Sequence, residues 1–136
     1  MCNSWSWTFR IRIMAKYFTF LELIKTDTGY NNIPVQMSHV ENLVCLSELL
    51  DEIREDFGAP IVVNSAYRSV PVNIAVKGVA NSLHLQGRAA DIRPELYPAN
   101  EYYYNFNNLV DVVKRYEDDL SEIIVDPKSK YIHIAI

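Results

Sequence analysis

Ser82-Leu83-His84-Leu85-Gln86-Gly87-Arg88-Ala89-Ala90-Asp91 is the most informative segment of this chain. A histidine and an aspartate stand seven positions apart, separated by a glycine and small residues. Ala89 to Arg93 reads as a strand. Residues of equal parity in a strand share a face, so Asp91 lies with Ala89 and Arg93, and Ala90 and Ile92 turn to the other side. A second alternating run, Lys130-Tyr131-Ile132-His133-Ile134-Ala135-Ile136, sets His133 with Tyr131 and Ala135 against three isoleucines. A lone histidine is ordinarily a hydrogen-bonded core residue. Here each strand offers one ligand-type side chain beside small or polar neighbours, backed by an apolar face. Two imidazoles and a carboxylate suit zinc and leave a fourth position for water. An open zinc site of this kind is more often hydrolytic than structural.

Outward from these strands the chain reads as α+β. Thr19 and Glu22 form a capping box for a short helix. Asp27 to Pro34 reads as a loop. Ser38 and Glu41 form a second capping box, opening a longer helix with Val40, Leu43, Val44, Leu46, Leu50, Ile53 and Phe57 on its apolar side. Gly58 and Pro60 stop it. Ile61 to Ala66 is β-branched and apolar, a buried strand. Pro71 to Val79 reads as a short helix with a proline start. Tyr97 to Phe106 reads as an aromatic, Asn-rich insert whose Tyr102, Tyr103 and Tyr104 either line a groove or fold onto the domain. Asn108 to Tyr116 is a helix, and Glu122 to Val125 with Tyr131 to Ile136 a closing hairpin. The acidic run Glu117-Asp118-Asp119 is a solvated face. The sum is a small antiparallel sheet with helices packed against it.

Three segments in order carry a family resemblance. Ser82-x-His84-x-x-Gly87-x-Ala89-x-Asp91 resembles the signature of the zinc D-Ala-D-Ala peptidases, which share a fold group with lysostaphin-type enzymes and the hedgehog signalling domain. Val63-Asn64-Ser65-Ala66-Tyr67-Arg68-Ser69 resembles that family's strand ending in Ser-Gly-Tyr-Arg-Ser, with Ala66 in place of glycine. Tyr131-Ile132-His133-Ile134 resembles its closing strand. The resemblance spans roughly Tyr17 to Ile136. It implies a hedgehog/DD-peptidase-like fold, with Zn2+ held by His84, Asp91 and His133. The implied substrates are peptidoglycan stem peptides, cut as a carboxypeptidase or an endopeptidase. Hedgehog domains keep zinc and work by binding, so a catalytically inactive wall- or protein-binding module is the alternative.

Zinc lowers the pKa of its water toward ~7 and polarises a scissile carbonyl. Hydrolysis then needs a base that later protonates the leaving amine. Arg68 is a permanent planar cation, suited to a substrate carboxylate or carbonyl oxygen, or otherwise to a surface salt bridge. Ser82 reaches the substrate backbone or stabilises its own loop. The base is where the sequence departs from the family. One branch has a glutamate three residues before the last histidine, where Lys130 stands here. Another has one six residues before it; the nearest match is Asp126, seven before. Asp126 is therefore expected as the general base, although Asp126-Pro127-Lys128-Ser129 also reads as a turn that its side chain would start. Glu122 is the reserve.

Composition sets outer bounds. The 136 residues suit one domain, expected over 17–136 after an extension over 1–16, with translation starting at Met14. A net charge of -4 argues against a nucleic-acid surface. Two cysteines make no disulfide framework, and Cys45 falls in a helix as a small core residue. No apolar run is long enough for a signal peptide or a membrane span. The expectation is a monomer made in the cytoplasm that acts on the wall once released, as a phage or prophage lysis enzyme would.

Overall fold

Four short antiparallel strands form one sheet in the order β1-β2-β4-β3. They are β1 (Ile61–Ser65), β2 (Ala89–Pro94), β3 (Glu122–Asp126) and β4 (Tyr131–Ala135). Helices α1 (Phe20–Leu23), α2 (Met37–Phe57), α3 (Val70–Ala75) and α4 (Ala99–Lys114) accompany them. Single 3-10 turns lie at Leu83–Gln86 and Glu117–Asp119. This computed structural model describes residues 16–95 and 99–136, with 99–104 as backbone alone. The expected extension, its Met14 start and the rings of the tyrosine cluster lie outside the described residues.

The sheet sorts its side chains as the alternation requires. Ala90 pairs with Ile134 and Ile92 with Ile132, and all four are fully buried. Leu43, Leu46, Leu50 and Ile53 from α2 and Leu109 and Val113 from α4 belong to the same core, and Cys45, expected as a small core residue, is partly buried against it in a disulfide. Each isoleucine withdrawn there contributes roughly 1.5–3 kcal/mol of burial, which fixes the register of β4. A slip by one residue would turn every apolar side chain outward. The same constraint sends Asp91 and His133, directly paired across β2 and β4, to the opposite face.

Helix α1 is capped as expected, Thr19 Oγ1 accepting from the Glu22 N–H at 3.1 Å. Helix α2 is not opened by Ser38. Its N-cap is Gln36, whose carbonyl already accepts from the His39 and Val40 N–H groups, so Ser38 lies inside the first turn. Gly58 ends it in the left-handed conformation, at φ 74°. Helix α3 stops at Ala75, short of the expected Val79, and Lys77 just beyond has φ 59°. Helix α4 corrects the largest expectation. Most of the supposed insert is helical backbone continuous with the helix expected from Asn108. No glycine or proline stands between Ala99 and Lys114 to break it. Among the described residues no helix is long and apolar enough to cross a membrane.

Candidate metal centre

The centre begins with a tight turn rather than a strand. Ser82 Oγ accepts from the His84 N–H at 3.2 Å and so caps the turn Leu83–Gln86. Gly87 closes it in the left-handed region at φ 71°, its N–H donating to the His84 and Leu83 carbonyls. A side chain at Gly87 would lie 2.6 Å from the His39 carbonyl oxygen and 3.0 Å from Leu43 Cγ. Conformation and space both demand glycine there. The turn is then tied to the chain leaving β1. The Arg68 N–H donates to the His84 carbonyl at 3.0 Å, and the His84 Nδ1 meets the Ala66 carbonyl at 2.6 Å. His84 is only 2% exposed.

His84, Asp91 and His133 each bring one ligand atom within 4.8 Å of the others. Asp91 Oδ1 lies 3.3 Å from His84 Nε2 and 2.9 Å from His133 Nδ1. The second carboxylate oxygen, Oδ2, accepts from Arg68 Nη2 at 3.3 Å. Arg68 also donates from Nε to Ser65 Oγ at 3.0 Å and from Nη1 to Asn73 Oδ1 at 3.4 Å. Ser65 reaches this face because β1 shifts register between Val63 and Ser65, leaving Ser65 opposite Asp91.

The hydrogen-bond chemistry fits a cation. A carbonyl oxygen only accepts, so the His84 Nδ1 must carry a proton toward Ala66. In the neutral ring Nε2 then aims a lone pair at Asp91. His133 is arranged alike: its Nε2 meets Glu122 Oε2 at 2.7 Å, which leaves Nδ1 aimed at Asp91 Oδ1. Three acceptor atoms converge on one point, an arrangement that either added protons or a metal ion must satisfy. Hydrogen bonding to Asp91 is the main reason that the His133 pKa is raised, against burial and helped by Glu122. Burial pushes the Asp91 carboxyl up, yet the bonds from His133 and His84 outweigh it and hold the group far below the usual range. The N/O donor set matches zinc.

The chain belongs to the peptidase M15 family. The family model for peptidase M15 matches residues 16–135, and no curated protein matches the chain. M15 peptidases are zinc enzymes, so membership implies a metallopeptidase, and the cluster of His84, Asp91 and His133 could hold the ion. The α+β fold with one small antiparallel sheet agrees with that family.

Asp126 and Glu122 sit differently from the trio. Both are on the metal face of β3, since Ile124 pairs with His133, Asp126 with Tyr131 and Glu122 with Ala135. Asp126 Oδ1 accepts from the Lys128 and Ser129 N–H groups, both at 3.0 Å. The backbone bond from Ser129 is the chief reason that its pKa is lowered. Lys130, at the position where one branch has glutamate, has φ 61° and reaches toward the ring of Phe106 in α4. Sequence reasoning did not find Asn73, buried beneath Arg68, or the Ala66 carbonyl. The first stands on a short helix with no ligand pattern around it. The second is backbone, invisible to residue type.

Proposed function

We propose that this M15 peptidase hydrolyses peptide bonds in bacterial peptidoglycan stem peptides, as a D-Ala-D-Ala carboxypeptidase or an endopeptidase. The observation that carries the reading is the convergence of His84 Nε2, Asp91 Oδ1 and His133 Nδ1 on the face of the sheet opposite its core. The substrate class comes from the resemblance of the three motifs. Bound zinc supplies Lewis acidity and an activated water. Asp91 holds one oxygen toward the ion while Arg68 keeps the other occupied. Arg68 has five N–H donors, and its bonds to Ser65, Asn73 and Asp91 use three. The remaining two are suited to a substrate carboxylate or carbonyl oxygen. Ser82, bound into its own turn, keeps hydroxyl capacity for a substrate N–H or carbonyl. Asp126, two pairs along the hairpin from the Ile124–His133 pair and on the same face, takes the proton of the attacking water and returns it to the leaving amine. It acts once its carboxylate is released from the turn. A phage or prophage lysis enzyme released by a separate pore suits such an activity.

One observation favours a second reading. Asp126 is drawn into the turn by two backbone N–H groups, as it would be in a zinc-holding module that binds wall or protein without cutting. Mass spectrometry of purified wall peptides after incubation with zinc-loaded protein, with a chelator control, separates the two. Loss of a terminal alanine identifies the carboxypeptidase, and a split stem or cross-link the endopeptidase. No mass change with zinc bound favours the binding module. Asp126→Asn is expected to abolish turnover and spare zinc affinity; full turnover in that variant removes Asp126 from the mechanism.

A further inference from the structure

We infer that Glu122 is a positioning residue for the metal centre: its carboxylate fixes the ring of His133 from behind, so that Nδ1 is the nitrogen presented to the ion. The inference rests on the reading of the trio as a zinc site. The two nitrogens of an imidazole lie on different edges of the ring. In His133 the Nδ1 edge faces Asp91 Oδ1 at 2.9 Å, and the Nε2 edge faces Glu122 Oε2 at 2.7 Å. Asp91 and Glu122 both accept, so once an ion occupies the Nδ1 edge the ring keeps its one proton on Nε2, where Glu122 accepts it, and presents the Nδ1 lone pair. Glu122 thus decides the tautomer. A carboxylate behind a metal-binding histidine both orients the ring and raises its basicity.

His84 shows the same device built from different material. Its outer nitrogen is Nδ1, held by the Ala66 carbonyl at 2.6 Å, and its inner nitrogen is Nε2. Both rings are gripped on the edge away from Asp91, one by main chain and one by Glu122. The cross-strand register explains why a glutamate is suited to this. Glu122 pairs with Ala135, one step along β4 from His133 on the same face. A long side chain leaning along the strand covers that diagonal distance, and Ala135 leaves the path clear. The same placement separates Glu122 from proton transfer. Its carboxylate meets the edge of His133 that faces away from the converging ligand atoms, and Glu122 is not among the residues that bring an atom within 4.8 Å of the others.

The test is zinc affinity by competition with a chromophoric chelator, for the unaltered protein, Glu122→Ala, Glu122→Gln and Asp126→Asn. Glu122→Ala is expected to weaken zinc binding about 10- to 100-fold. Glu122→Gln, which retains a neutral acceptor, should weaken it less, and Asp126→Asn should bind as the unaltered protein does. In zinc-loaded protein, nitrogen-15 spectra should show His133 bound through Nδ1 with a downfield Nε2 proton, and Glu122→Gln should shift that proton upfield. Unchanged affinity in Glu122→Ala, with or without loss of turnover, overturns the inference. So does coordination through Nε2. Failure of the unaltered protein to bind zinc overturns the underlying site reading instead. If Glu122→Ala does not fold, Glu122→Gln decides by the same two readouts.

Discussion

The two histidines of the centre are held in opposite ways. His84 is buried, sits in a capped turn, and is gripped by main-chain groups of the segment leaving β1. His133 lies on a strand, half-buried, and its outer edge is gripped by a side chain that is itself 43% exposed on edge strand β3. The first half of the site is thus part of the folded core, and the second is adjustable from the surface. Substitutions on the His84 side should cost stability and metal together, and those on the hairpin side should reach the metal at little cost in stability.

The sharpest way to break this contrast is to remove each ring. His84→Ala and His133→Ala are both expected to lose measurable zinc binding by calorimetry. His84→Ala should in addition lower unfolding stability by about 2–3 kcal/mol, because the buried Ala66 carbonyl loses its donor and a void remains. His133→Ala should cost about 1 kcal/mol or less in the metal-free protein. Equal losses in denaturant titrations would end the distinction. Gly87→Ala comes next. The left-handed backbone and the close His39 carbonyl predict a loss of roughly 2 kcal/mol, read as a lower urea midpoint.

A pH series sharpens the same comparison. The raised pKa of His133 means that its contribution to metal-free stability is fully present below about 6.5 and fades as pH rises through the higher folded value. The lowered pKa of Asp91 gives a contribution present above about 3.9 and lost as pH falls. Metal-free Tm should therefore be greatest between roughly pH 4 and 6.5. Zinc competes with the His133 proton, so the rise in Tm on adding zinc should grow toward alkaline pH. A zinc-induced rise that is flat from pH 5 to 8 would contradict this. The smallest effect belongs to the hairpin. Lys130→Gly removes left-handed strain of about 1 kcal/mol but loosens the unfolded chain by a comparable amount. It should raise Tm slightly or not at all and leave zinc affinity unchanged.

Much of this site was legible because strands obey parity. The alternation in Ala89 to Arg93 and in Tyr131 to Ile136 sets Asp91 and His133 on one face, and the register makes them direct partners. The capping pattern of Thr19 was equally readable, since it depends on neighbours in sequence. Ser38 misled because a capping box describes a possible start, and tertiary packing let α2 begin at Met37. The aromatic run before Asn108 misled because tyrosine and asparagine favour helix weakly, and a run without glycine or proline can still be drawn into one by its continuation. The grip of Arg68 on Asp91 and of Glu122 on His133 was not legible. Both depend on side-chain rotamers, and the first also on the register shift in β1, which residue order does not specify.

The strand order carries a kinetic consequence. His84 and Asp91 are seven residues apart and meet through local structure. Asp91 and His133 are 42 residues apart, and β4 must insert between β2 and β3 after α4 has been laid down. Closing that loop is among the slower, entropically costly events of folding. Before it closes, a metal ion would find two ligands and leave quickly; afterwards it would find three and stay. Retention of the ion would therefore act as a timer, reporting that the last central strand has docked.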